Sequence, residues 1–437
     1  MNAADARRAA TEAGIGESMH RLAEELYPIC RSITGDGLRQ TLRRVGEEVP
    51  LEIREIPTGT RVFDWTIPRE WNISDAYVAD ASGRRVIDFR SSNLHVVNYS
   101  VPVHTRVTLE ELRSRLTAVP ERPDWIPYRT SYYREDWGFC LSQAALDRLE
   151  DGEYEVCIDS TLTDGSLSYG EVFLPGETQD EVLISTHACH PSLCNDNLSG
   201  VAVATFLART IASLPRRLSY RFVFVPGTIG AIAWLHANQA TVSRIKHGLV
   251  LACVGDPGRV TYKRSRKGDA EIDRAVAHVL RESGDDYELL DFSPLGYDER
   301  QYGSPGFDLP VGCFMRTPPG RFPEYHTSAD DLDLVTAGSL ADSLGKLLAT
   351  LSVVDGNGVY VNLNPLCEPQ LGRRALLRAA GGRKEARASE EALLWVLNLS
   401  DSRHTLLDIA ERSGLEFGSI RAAADTLIEH DLLQAAE

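Results

Sequence analysis

A chain of 437 residues is too long for one ordinary domain, and two or three are expected. Apolar residues make up 43% of it, enough for substantial cores, yet no apolar run approaches the length that crosses a bilayer. The formal charge of −17 opposes nucleic-acid binding by the chain as a whole, because phosphate contacts need a basic face. Eight cysteines without disulfide-type spacing, and a polar start over residues 1–8, predict a cytoplasmic protein with no signal peptide and no membrane association.

Residues 16–48 carry helical periodicity. Met19, Leu22, Leu26 and Ile29 recur at three- and four-residue steps, and Leu38, Leu42 and Val45 do so again after a glycine turn. From residue 51 the pattern becomes short β-type runs between Pro and Gly turns. Residues 51–160 therefore read as an inserted, mainly β domain with a helical piece near 108–117. It holds Trp65, Trp71, Trp125 and Trp137, more readily an aromatic core than a binding surface.

Beyond residue 165 strands and helices alternate, which predicts an α/β domain with a mostly parallel mixed sheet and helices on both faces. Its strands are placed at 181–185, 220–225, 249–254 and 309–315, and its helices near 200–213, 230–240, 269–283 and 337–354. Residues 1–50 and 161–365 form this domain, and 366–388 read as a connector. Residues 389–437 carry helix, glycine turn and helix at helix-turn-helix spacing, and Asp431-Leu-Leu begins a short wing. From Glu390 to Glu437 ten acidic residues face three basic ones, which repels phosphate. The expected role of this unit is dimerisation or docking of a protein partner.

The most informative stretch is His187-Ala-Cys-His-Pro-Ser-Leu-Cys-Asn-Asp196-Asn197. It follows a buried strand and precedes a helix with Ser199 near its N-cap. That places metal-ligand side chains at the C-terminal edge of the sheet, where such sheets bind ligands. Asp256 follows the strand at 249–254, and His326 stands in Pro323-Glu-Tyr-His-Thr-Ser-Ala-Asp330. His187, Asp196, Asp256 and His326 are types that zinc accepts, although their separation in sequence is itself a weak signal. Cys189, His190 and Cys194 are further candidates, but an adjacent Cys-His pair usually splits between inside and outside.

Tyr27 to Gly35, Trp137 to Cys140, His187 to Gly200, Gly296 to Gln301 and Glu324 to Ser328 together resemble the co-catalytic zinc aminopeptidase superfamily. The likeness is greatest to its branch of aminopeptidase-like proteins with an inserted β domain and a C-terminal winged helix. The resemblance implies His187, Asp196, Asp256 and His326 as ligands of one or two zinc ions, with one superfamily ligand unaccounted for. It also implies cleavage of an amide or peptide bond in a peptide or small-molecule substrate.

Two departures bear on activity. Where the superfamily carries a general-base Glu and a ligand Glu, this chain has Gly227 and Thr228, and where it orients the first His with an Asp, the chain has Cys189. Asp298 and Glu299 are the expected substitutes for the base, and a Glu restored at 227 is expected to raise aminopeptidase activity. Tyr297 and Tyr325 are candidate donors to a developing oxyanion. Arg264, Arg266, Arg300 and Arg316 either recognise an anionic substrate or pair with the chain's many acids. The rival reading is a hydrolytically impaired relative that binds a ligand or partner, and Gly227 is the residue that favours it.

Overall fold

The computed structural model describes residues 8, 11–374, 376 and 384–436. Residues 1–7 of the polar start, and 375 and 377–383 of the connector, lie outside the described residues. Eight strands form the central sheet: β1 (Glu52–Pro57), β2 (Ser166–Leu174), β3 (Glu181–His187), β4 (Ser219–Val225), β5 (Ile245–Leu251), β6 (Val260–Lys263), β7 (Tyr287–Leu290) and β8 (Val311–Met315). Their order is β1-β2-β4-β3-β5-β8-β6-β7. The four central strands, β4-β3-β5-β8, run parallel, while β1, β2 and β6 join antiparallel to their inner neighbours.

Every residue of β3 is buried, as a parallel strand covered on both faces requires. One face carries α1 (Ile15–Leu26), α3 (Ser199–Ala212), α5 (Glu271–Ser283) and α6 (Ala337–Gly356), whose apolar residues share a core with β3, β4 and β5. The other face carries α4 (Ile229–Ala237) and the insert. Strand β1, assigned to the insert from sequence, is instead the edge of the central sheet, in register with β2 from Glu52↔Glu171 to Pro57↔Ser166. Its Pro57 sits at the strand's end, where a missing N–H costs little.

The insert is built on a four-stranded antiparallel sheet ordered 85–88, 70–79, 153–163, 103–108. Its helical piece, Leu109–Arg113, starts from a Thr108–Glu111 capping box. Trp71 is 2% exposed and its Nε1–H donates to Ser100 O at 2.8 Å, so it is the core residue expected. Trp65 is not: it is 41% exposed. The apolar core around Trp71, Val156 and Ile158 continues into Leu183 and Val225 of the central sheet and Trp234 of α4. Insert and sheet therefore share one packed interior.

The C-terminal unit comprises α7 (Lys384–Leu399), α8 (Leu406–Ser413) and α9 (Phe417–Glu429). Its small sheet borrows a strand from the end of the α/β domain, Val359–Asn362, which pairs antiparallel with Asp401–Thr405 and Leu433–Ala435. The unit thus begins earlier than residue 389. Phe417 is 3% exposed, and the Phe417 N–H donates to Glu282 of α5 at 3.1 Å. Arg421 donates to Gly356 O and the Tyr360 hydroxyl, and Arg274 of α5 pairs with Asp408 at 2.6 Å and Glu411 at 2.5 Å. The start of the second helix-turn-helix helix, which would enter a DNA groove, is turned onto the α/β domain. Among the described residues no helix is long and apolar enough to cross a membrane.

Because Phe417 belongs to the same core as the helices of the α/β domain, truncating it opens a cavity in both. Phe417→Ala is expected to lower stability by about 3–5 kcal/mol. Urea unfolding followed by near-UV circular dichroism should show a single shifted transition. A separate early transition of the C-terminal unit, with the rest unmoved, would show that the two cores are independent.

Candidate metal centre

The C-terminal ends of β3, β4, β5 and β8 meet at one edge of the sheet. His187 closes β3, and the loop from Ala188 to Leu198 folds back over it before α3 begins. This loop is fixed from behind by Asp330. The backbone N–H groups of Asn195 and Asp196 donate to the two Asp330 carboxylate oxygens at 2.5 and 2.9 Å, and Cys194 N–H donates to Asp330 O. Asn197 ties the loop to the strand ends: its amide donates to Thr186 Oγ1 and His187 O, and its carbonyl accepts from Cys253 N–H. Ser199, expected near an N-cap, accepts from Val254 N–H at 3.0 Å.

The result is a wholly buried Asp196 carboxylate facing three imidazoles. His187 Nε2 lies 2.8 Å from Oδ1, while His326 Nε2 lies 3.0 Å and His190 Nδ1 3.3 Å from Oδ2. Ligands held about 2.0–2.2 Å from one zinc ion stand roughly 3 Å from each other. The donor types and spacings therefore fit a metal, and His187, His190 and Asp196 form a compact set of ligand atoms. Burial holds His187 below the ordinary histidine value, which favours the neutral imidazole that binds metal. Burial also opposes the charge on His190, but Asp196 outweighs it and raises that group. Burial works against the Asp196 anion too; the facing histidines overcome it and hold Asp196 well below the usual carboxylate range.

Three tyrosines enclose the cluster. The Tyr297 ring stacks on His187 at 4.5 Å and its hydroxyl donates to Asp196 Oδ1 at 2.7 Å. Tyr325 stacks on His326 at 4.0 Å. Tyr128, from the insert, sets its ring 5.2 Å from both His190 and His326. The insert reaches the site through backbone pairing: Tyr128 N–H donates to His326 O, and Ser328 N–H donates to Ile126 O. His326 itself adopts φ +56, a left-handed backbone that a non-glycine residue holds only when its surroundings enforce it.

The other sequence candidates lie elsewhere. Asp256 is held by partners outside the cluster. Its carboxylate accepts from Gly258 N–H, Thr317 Oγ1–H, Thr317 N–H and the Asn195 amide at 2.6–3.2 Å, which uses its lone pairs to hold two loops together. Cys189 Sγ faces Gly227 O at 3.9 Å and does not orient His187. Arg266 pairs with Asp308, and Arg316 pairs with Asp342 and donates to Gly258 O. Arg264 donates to Gly268 O, and Arg300 Nη1 lies 3.4 Å from Pro294 O. All four arginines thus have partners within the chain and give little support to an anion site. Asp330 is no ligand candidate in the sequence reading, and His190 is there only a further candidate. Their signals were slight: a second His three residues after the first, and an Asp four residues beyond His326.

Asp298 and Glu299 separate into different environments. Asp298 is 1% exposed, and neither of its oxygens accepts a hydrogen bond among the described residues. A Cβ built on Gly227 would lie 3.2 Å from His187 Cβ and 3.7 Å from Asp298 Oδ2. The carboxylate missing at 227 is thus matched by one arriving from the 297–299 loop. Burial, with Glu299 adding to it, raises Asp298 to about 7. Glu299 is instead paired with Lys263.

Residues 20–357 match a family described as a domain of unknown function, DUF4910, and residues 358–435 match a winged helix-turn-helix family. The chain belongs to the DUF4910 family. It is 52% identical over 419 residues to a Clostridium acetobutylicum protein described as a "Putative polysaccharide biosynthesis protein with aminopeptidase-like domain", covering 96% of each. A crystal structure described as a "putative peptidase" of the same organism shares 50% identity over 98% of each chain, with a TM-score of 0.93. The zinc aminopeptidase of Bacillus subtilis is 13% identical over 80% of this DUF4910 chain and 94% of its own, with a TM-score of 0.56, a likeness of fold. The aminopeptidase-like fold and C-terminal winged helix expected from sequence are both present in this DUF4910 chain.

These positions separate ligands from scaffold. His187→Ala or His190→Ala is expected to deplete bound zinc, measured by metal analysis of purified protein. Asp256→Ala is expected to keep it while losing about 1–3 kcal/mol of stability, because buried donors lose their acceptor. Zinc lost from the Asp256 variant and retained in the His190 variant would reverse these roles.

Proposed function

We propose that this chain is a metal-dependent hydrolase of peptidase type, acting on an amide bond of a peptide or small molecule. His187, Asp196 and His326, joined by His190, hold zinc, and Asp298 is the general base. A bound zinc ion supplies Lewis-acid polarisation of the scissile carbonyl and acidifies water. The observation that carries the reading is the buried, unpartnered Asp298 carboxylate beside Gly227. Ionised, it takes a proton from the attacking water; protonated, it returns one to the leaving amine. Tyr325, stacked on His326, is the candidate donor to a developing oxyanion, while the Tyr297 hydroxyl is committed to Asp196.

The fold neighbours and the name of the 52% identical relative support a peptidase-like hydrolase. That relative's description joins an aminopeptidase-like domain to polysaccharide biosynthesis, which supports an amide on a small molecule as readily as one in a peptide. Eight free thiols suit a reducing, cytoplasmic setting. Gly227 loses its weight as a sign of inactivity once Asp298 stands beside it. The C-terminal unit acts as a prop for the catalytic domain, without a role in nucleic-acid binding.

A base of this kind contributes about 10²–10⁴-fold. Asp298→Asn is expected to lower kcat by that range on any aminoacyl or acyl amide that the native protein cleaves, with KM little changed. The native rate should fall as pH drops through about 7, where Asp298 gains its proton, and the Asn variant should lose that limb. Gly227→Glu, contrary to the sequence expectation, should lower the rate by crowding a second carboxylate against Asp298 and His187. Undiminished activity in the Asn variant would remove Asp298 from the role.

A further inference from the structure

A cavity of about 500 Å³ opens beside the metal centre, between the loops at 291–297 and 317–325. Tyr297 and Tyr325 form its wall toward the cluster, and each lays its ring against a histidine of that cluster. Leu290, Met315, Pro318 and Pro319 make its sides apolar. The polar groups gather at Lys263 and Glu299, the first 6% and the second 0% exposed.

Lys263 donates to Ser293 O at 3.2 Å and to Leu295 O at 2.7 Å, and it is ion-paired with Glu299. Arg321, the other cation lining the cavity, makes two contacts of 3.0–3.1 Å with Glu288. Neither Glu299 oxygen, in contrast, accepts a hydrogen bond among the described residues; its contact with Lys263 is an ion pair. Gly296 permits this arrangement, because a Cβ there would overlap both the Lys263 Nζ and Glu299 Oε1. Both cations that line the cavity are therefore paired within the chain, while the Glu299 oxygens lack a hydrogen-bond donor. A buried carboxylate oxygen without a donor is costly, and a ligand that brings an N–H or O–H removes that cost.

We infer that this cavity is the substrate's side-group pocket and that Glu299 is its specificity-determining residue, selecting a group with an apolar stem and an ammonium or hydroxyl tip. The identity of the pocket as a substrate pocket rests on the hydrolase reading above; its preference for a donor tip does not. A carboxylate tip is rejected, since it meets Glu299 and finds no free cation. A hydrocarbon tip leaves the Glu299 oxygens desolvated and without a donor.

The test uses the full-length protein and two readouts. Isothermal titration with free lysine, norleucine and glutamate measures binding without turnover. Native protein is expected to bind lysine about tenfold or more tightly than norleucine, and glutamate most weakly. Glu299→Gln is expected to bring lysine down to the norleucine level and leave norleucine unchanged. Cleavage of the three corresponding aminoacyl amides is then compared, with the lysine preference expected in kcat/KM through KM. Equal binding of lysine and norleucine by the native protein, a measurement that needs no variant, would overturn the pocket's assignment, as would a preference for glutamate. A lysine preference that survives Glu299→Gln would overturn the role of Glu299. Selective binding of lysine with no cleavage of any amide would uphold the pocket and count against the hydrolase reading alone.

Discussion

A single buried anion organises this site. Asp196 is wholly inaccessible, and a carboxylate removed from water survives as a charge only where donors or cations surround it. Three imidazoles and the Tyr297 hydroxyl do so on one side. On the other, Asp330 accepts the N–H groups of Asn195 and Asp196 and fixes the loop that carries the anion. Two buried carboxylates on successive layers repel: burial, and then Asp196, raise Asp330 to about 8. A cation placed among the histidines would relieve both, which is the electrostatic sense in which the cluster is built for a metal.

The two accessory units serve that cluster in different ways. The insert shares a core with one face of the sheet and sends Tyr128 over His190 and His326, so it completes the wall of the site. The C-terminal unit shares the core of the other face. It keeps the helix-turn-helix shape, but the surface that reads DNA elsewhere is spent here on α5 and the end of α6. Its acidic charge and its buried helix start lead to the same conclusion by separate routes.

Much of the fold was legible because it rests on short-range patterns. Strands β3 and β4 and helices α3, α5 and α6 fell within a few residues of their periodicity, and the sheet edge that holds the site followed from where those strands end. What escaped depended on long-range partners. β1 looks like the insert's first strand and is bound to the central sheet only by pairing with β2, more than a hundred residues on. Asp256 has a ligand's residue type and position, but Thr317 and Asn195 claim its carboxylate. His190 was passed over because sequence cannot tell which way a loop side chain turns. Asp298 and Glu299 were paired as interchangeable; one residue's step along the chain sends one toward Gly227 and the other toward Lys263.

The central claim is that Asp196 and its histidines hold the metal. The most direct measurement is diffraction from zinc-soaked crystals at the zinc absorption edge. The account predicts an anomalous peak about 2.0–2.2 Å from His187 Nε2 and an Asp196 carboxylate oxygen, with His190 or His326 completing the set and Asp256 still bonded to Thr317. A peak coordinated by Asp256, or none within reach of Asp196 at saturating zinc, would contradict it.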